Sequence, residues 1–242
     1  MKRRSWLAAL AACAIAGAAA IGVGLNRDQV PAARPPAERP TLALLTSLPL
    51  VFGESFGLES GGSPALTRLE QRYNVVPIGV ADAASLEGRR LLLMAHPRAQ
   101  PAEVLVELDQ WVRGGGRVLL LADPRLDWPS ERPLGDNLRA PPAFADTGLL
   151  GHWGLRLSGP DLQGPASVGN GDLTVVASSP GKLESRSCVI VGHGFVARCR
   201  IGRGEATVIA DADFLNVQGQ GSGPTEHNLD LLVIELAKLE SR

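Results

Sequence analysis

Residues 91–124 read LLLMAHPRAQPAEVLVELDQWVRGGGRVLLLADP, and this stretch decides the fold. Residues 91–95 and 118–122 are short, unbroken apolar runs bounded by Gly, Pro and Arg, the pattern of strands buried on both faces. Between them Val104, Leu105, Leu108, Trp111 and Val112 fall at i, i+1, i+4, i+7 and i+8, the spacing of one helix face. Gly114, Gly115 and Gly116 end that helix. Strand, helix, strand at this spacing is a βαβ unit, and such units build parallel sheets covered by helices. The expected class is α/β, with a doubly wound, mainly parallel, flavodoxin-like sheet.

Outward from this unit the same alternation continues. Residues 41–48 read as a buried strand; Ser63 and Pro64 open a helix through Leu66, Leu69 and Tyr73; residues 74–80 read as a further strand. Downstream, Pro129, Pro133, Pro141 and Pro142 mark a long loop, followed by a short helix expected over 144–153. Residues 173–177, 188–191 and 195–201 read as antiparallel β inserted in the C-terminal third, 206–210 as a last buried strand, and 228–239 as a core-packed helix. A hairpin turning at His193 and Gly194 sets Cys188 opposite Cys199. The pair is either disulfide-bonded or, on a slightly different register, two free thiols.

The 242 residues carry 24 Lys and Arg against 25 Asp and Glu, a balance without the basic excess of a nucleic-acid binder, and none is expected as a partner. Residues 1–4 are basic, and residues 6–25 contain no charge, a run of about 30 Å as a helix. Nine of those twenty are Ala. Residues 1–25 are expected to be a transmembrane anchor, with the remainder in the periplasm and the protein single-pass in the inner membrane. A signal peptide cleaved near Ala18 to Ala20, releasing the domain, is the alternative. Cys13 fits a lipoprotein box poorly, because the longer apolar run follows it. Residues 26–40, with four prolines in 31–40, read as an extended stalk, and 41–242 as one extracytoplasmic domain.

Several motifs bear on chemistry. Gly53-Glu-Ser-Phe-Gly57 matches a nucleophile elbow as a string, but no helix-forming stretch follows, so Ser55 reads as a surface-loop residue. Asp123 follows one central strand and Asp211-Ala-Asp213 follows another, so with His96 they converge at the carboxyl edge, where α/β sheets bind ligands. Asn216 and Glu54 complete the set of ligand-binding candidates. The carboxylates either bind a ligand there or cap turns. The four histidines show no paired spacing for zinc, and no Cys follows a parallel strand. No metal, no cofactor and no catalytic residue are expected.

Three stretches carry a resemblance: residues 91–97; 108–124, with Asp109, Trp111 and the glycines before Asp123-Pro124; and 204–216, ending Asp211-Ala-Asp-Phe-Leu-Asn216, with Asn228 beyond. Together with Leu149, Leu150, Trp153 and Gly154 they resemble the GldG-like auxiliary domains of ABC-type transport systems. The resemblance spans about 41–239. It implies a glutamine amidotransferase-like fold without the catalytic cysteine, and a non-enzymatic accessory domain working beside an ABC-type permease and ATPase. An envelope hydrolase using the strand-end carboxylates is the alternative.

Overall fold

The computed structural model describes residues 30–53, 62–170, 173–217, 225 and 227–241. The elements belong to the unit Pro31–Arg242. Strands β1 (Thr41–Thr46), β2 (Asn74–Pro77), β3 (Leu91–Ala95) and β4 (Arg117–Leu121) alternate with helices α1 (Pro64–Glu70), α2 (Ala83–Leu86) and α3 (Ala102–Arg113). After a long loop come α4 (Leu149–His152), β5 (Leu155–Ser158), β6 (Pro165–Asn170), β7 (Leu173–Ser178), β8 (Lys182–Ser185), β9 (Val189–Val191), β10 (Val196–Ile201), β11 (Gly204–Ile209) and α5 (Asn228–Glu240).

Seven strands form one sheet in the order β2-β1-β3-β4-β11-β10-β9. The first five are mutually parallel; β10 runs antiparallel to β11, and β9 antiparallel to β10. The α/β class with a mainly parallel sheet and an antiparallel addition in the C-terminal third is thus observed. Two small antiparallel pairs, β5 with β8 and β6 with β7, lie outside this sheet; of these strands only β7 was expected.

Side-chain alternation splits the core between the two faces of the sheet. Leu42, Leu44, Leu91, Leu93, Leu119 and Leu121 pack with α1 and α5, whereas Ala43, Leu45, Leu92, Met94, Val118 and Leu120 pack with α2, α3 and α4. Helix α1 begins as the sequence indicates, with the Ser63 hydroxyl accepting from the Leu66 N–H at 3.1 Å and Pro64 in the first turn. Helix α3 buries Val104, Leu108 and Val112, and Gly115, at φ 118°, turns the chain into β4. Gly204 opens β11 where a Cβ would sit 2.1 Å from the Val112 carbonyl oxygen, so only glycine lets this strand start against α3. Helix α5 buries Glu235, which accepts both guanidinium contacts of Arg198, at 2.9 and 2.6 Å.

Two expectations about the N-terminal region need revision. Part of the supposed stalk is folded onto the domain: the Arg34 N–H donates to Gln71 O, Arg72 donates to Ala32 O, and Arg34 pairs with Glu240 at 2.6 Å. The expected transmembrane helix and signal-anchor find no support in the described residues. Among the described residues no helix is long and apolar enough to cross a membrane. The longest, α3 and α5, have 12 and 13 residues and reach only about 20 Å. Residues 6–25 and Cys13 lie outside the described residues.

Cys188 and Cys199 are bonded, with Cα atoms 4.5 Å apart. The β9–β10 register pairs Val191 with Val196, Ile190 with Ala197 and Val189 with Arg198, so the next step brings the two cysteines opposite each other.

Candidate functional site

The sheet register determines which edge groups meet. Ala95 pairs with Leu121, and Leu121 with Ile209, so β3, β4 and β11 end level with one another. Two residues past that line stand Asp123 and Asp211, on adjacent strands. A 3₁₀ turn over Asp213–Leu215 then brings Asp213 back toward them. Each of the three offers a carboxylate oxygen, and these oxygens all lie within 4.8 Å of one another.

The cluster is enclosed. Asp123 and Asp211 have no exposed surface and Asp213 retains 3%. Backbone N–H groups hold each carboxylate. Asp123 Oδ1 accepts from Arg125 at 2.8 Å and its Oδ2 from Ala212 at 2.9 Å; Asp211 Oδ1 accepts from Phe214 at 2.8 Å; Asp213 Oδ2 accepts from Asp127 at 2.7 Å. Asp211 Oδ2 is buried without a hydrogen-bond partner. The 124–144 segment covers this edge. It is fastened by the Phe144 N–H to Asp123 O and by Asp127, whose Oδ2 accepts from Ser178 at 3.0 Å and from Ser179 at 2.6 Å.

Burial disfavours charge at all three acids. It pushes Asp123 up to about 6 against the opposing pull of its backbone donors. Asp213 is pushed up to about 8, by burial first and Asp123 second. Asp211 stands well above the usual carboxylate range, through burial and then its two acidic neighbours.

His96 and Asn216 occupy other positions. His96 follows β3 at a left-handed φ of 46° and is fully buried; it is not a member of the carboxylate cluster. Its Nε2 lies 2.9 Å from Pro141 O, so Nε2–H donates and Nδ1, which has no partner, carries the lone pair. Burial lowers the His96 pKa, keeping the ring neutral. Asn216 closes the 3₁₀ turn by donating its N–H to Asp213 O and is half-buried. Glu54 and Ser55 lie outside the described residues.

Two features were missed in the sequence. The carboxyl ends of β1 and β2 border an open cavity of about 510 Å³, lined chiefly by Leu44, Leu48, Val51, Phe52, Ile78 and Leu138, with Arg132 at its side. It lies at the carboxyl edge of the sheet, on the β2 side of β1. The second is Asn228, buried at the start of α5. It accepts from Val176 N–H at 2.9 Å and donates to Val176 O and Phe214 O at 2.7 and 2.9 Å. A lone Asn before an apolar helix gives little sign of this role, whereas the cavity depends on residues up to 94 positions apart in the chain (Leu44 and Leu138).

No protein-family model matches the sequence, and no curated protein matches it. Among solved structures, the mmIFT52 N-terminal domain is similar at 15% identity over 82% of this chain and 96% of that one, with a TM-score of 0.56. Cytoplasmic Protein STM1381 from Salmonella typhimurium LT2 is similar at 13% identity over 82% and 99%, with a TM-score of 0.54. The exo-beta-1,4-mannosidase Op5Man5 from Opitutaceae bacterium strain TAV5 matches at 15% identity with a TM-score of 0.48, and this chain spans 36% of its length. At these identities the likeness concerns the fold alone.

Proposed function

We propose that this chain is a non-enzymatic, extracytoplasmic accessory domain of an ABC-type transport or export system, where it binds a partner protein or ligand. The reading takes the fold to be glutamine amidotransferase-like, without the catalytic cysteine of that class. The observation that carries it is the sealing of the sheet edge at the ends of β3, β4 and β11. A general acid, base or nucleophile must come within hydrogen-bond reach of its substrate. His96, Asp123 and Asp211 have no exposed surface, and their polar contacts are to backbone groups of the same chain. The sharp turn between β3 and α3, where a strand-to-helix nucleophile would stand, holds His96 turned onto Pro141 O. The Cys188–Cys199 bond agrees with an oxidising compartment. The transport association comes from the resemblance, whose Asp123-Pro124 and Asp211-Ala-Asp-Phe214 stretches end neighbouring strands of the sheet.

The test is affinity capture of the full chain, tagged at its C-terminus, from detergent-treated native cell envelopes, with co-purifying proteins identified by mass spectrometry. Recovery of an ABC-type permease and its ATPase is expected. Capture of the chain alone would remove the transport part of the proposal. Hydrolysis of an ester, amide, phosphoester or glycoside by the purified chain, abolished by Asp213→Asn, would remove the non-enzymatic part.

A further inference from the structure

We propose that Asp123, Asp211 and Asp213 hold one hard divalent cation, of the calcium or magnesium type, which ties the carboxyl ends of β4 and β11 together beneath the 124–144 segment. The ion is structural, and the inference stands whether or not the domain serves a transport system.

The first argument is convergence. Three carboxylates from two strand ends and one 3₁₀ turn bring oxygens within 4.8 Å of one another in the interior. Like charges at this separation repel, and the interior screens them poorly. Among the described residues no cationic side chain pairs with Asp123 or Asp211. The second argument is independent of the first. Asp211 Oδ2 is a fully buried acceptor with no partner at hydrogen-bond geometry, in a residue with no exposed surface whose carboxylate feels the backbone N–H of Phe214 and, more weakly, Ser178. Buried polar atoms are almost always satisfied, and among the buried orphans of the described residues Asp211 Oδ2 alone belongs to a cluster of converging carboxylates, where a cation would satisfy it.

The donor set selects the ion. It is oxygen only, from carboxylates, which suits calcium or magnesium; zinc and copper sites draw on imidazole or thiolate, and His96 lies outside the cluster. The backbone N–H groups of Arg125, Ala212, Phe214 and Asp127 fix the carboxylates in orientation. Each oxygen has two lone pairs, so accepting one such bond leaves capacity for a metal. This is the outer support that metal ligands commonly receive.

The experiment uses the full chain with its disulfide intact, unfolded in denaturant with chelator and refolded in metal-free buffer. Samples refolded with calcium, magnesium or manganese alone are freed of loose ions by gel filtration. Bound metal is then measured by elemental analysis and stability by melting temperature. One equivalent retained from calcium or magnesium, with a melting temperature that climbs with the logarithm of ion concentration, is expected. Asp211→Asn and Asp213→Asn should each abolish retention, and since either variant can fail to fold, the wild-type metal content stands as a separate readout. Absence of retained metal with all three ions, with melting unmoved by ion or chelator, overturns the proposal and leaves the cluster holding protons alone. Retention unchanged in both folded variants overturns it too, because the ion then sits elsewhere.

Discussion

At the carboxyl ends of β1 and β2 the sheet edge opens into an apolar cavity of about 510 Å³, whereas at the ends of β4 and β11 the same edge closes over three buried carboxylates. The hydroxyls at the open end are already engaged: Thr46 donates to Ala95 O at 2.9 Å and Ser47 to His96 O at 2.5 Å. That end therefore offers apolar surface with Arg132 at its side and few free polar groups. The closed end has polar groups in excess and no access. His96, Asp123, Asp211 and Asp213, which look reactive in the sequence, are thus sealed by the fold, and the open cavity is lined chiefly by apolar residues.

Asn228→Ala should have the largest effect, because the closed end depends on it. The substitution leaves the buried Val176 N–H unpaired and strips a partner from Val176 O and Phe214 O, in the turn that carries Asp213. A loss of about 3 kcal/mol is expected. It would be read as a lower urea midpoint with an unchanged slope. A loss under about 1 kcal/mol would mean that the turn is held by other contacts.

Reduction of Cys188–Cys199 comes next. The bond closes a loop with a sequence separation of 11, and its removal should lower stability by about 2–3 kcal/mol. It braces β9 and β10, away from both contrasted ends, so uptake of an apolar probe by the cavity should not change on reduction. A melt insensitive to reductant would show that the hairpin holds without the bond.

A smaller effect is expected from pH, confined to the closed end and read in the presence of chelator. Asp213 has its folded-state pKa raised to about 8, and Asp211 is raised as well. A raised carboxyl retains a proton in the folded chain that the unfolded chain has lost, so its stabilising share is present at low pH and disappears as pH climbs through the folded value. Melting temperature should fall between about pH 6.5 and 8.5. Below that window His96 works in the opposite sense, since its lowered pKa makes the folded chain resist protonation as the unfolded chain takes it up. A melting temperature that climbs across the window would mean that the carboxylates are ionised and compensated in the fold.

Legibility from sequence divides along physical lines. The β3–α3–β4 unit was readable because its signal is local, a period of apolar residues ended by glycines, and the β9–β10 register followed from counting residues across one turn. Convergence of Asp123 with Asp211 and Asp213 followed from topology, since parallel strands that start level also end level. Strand β7 was read from its apolar run, but its partner β6 and the pair β5 with β8 escaped notice because they are short and partly exposed. The folding-back of residues 32–40 escaped because Arg34 meets Glu240, 206 residues away. The cavity likewise has no local signal: leucines from the β1 end, from the loop beyond it and from the 130s give no pattern that separates them from core.

The smallest effect on stability, and the sharpest on the comparison, is expected from Phe52→Ser with Leu138→Ser. Both side chains line the cavity and stand 79% and 65% exposed, so little burial is lost and stability should stay within about 0.5 kcal/mol. Uptake of an apolar fluorescent probe should nevertheless fall several-fold, because these two side chains would cover the apolar part of a bound molecule. The carboxylates should have no part in it, so Asp213→Asn should leave probe binding as it is. If instead the double substitution leaves probe binding unchanged and Asp213→Asn diminishes it, the contrast between the two ends is inverted. The 124–144 segment must then open in solution, and the closed edge, not the cavity beside β1, is where this sheet receives its ligand.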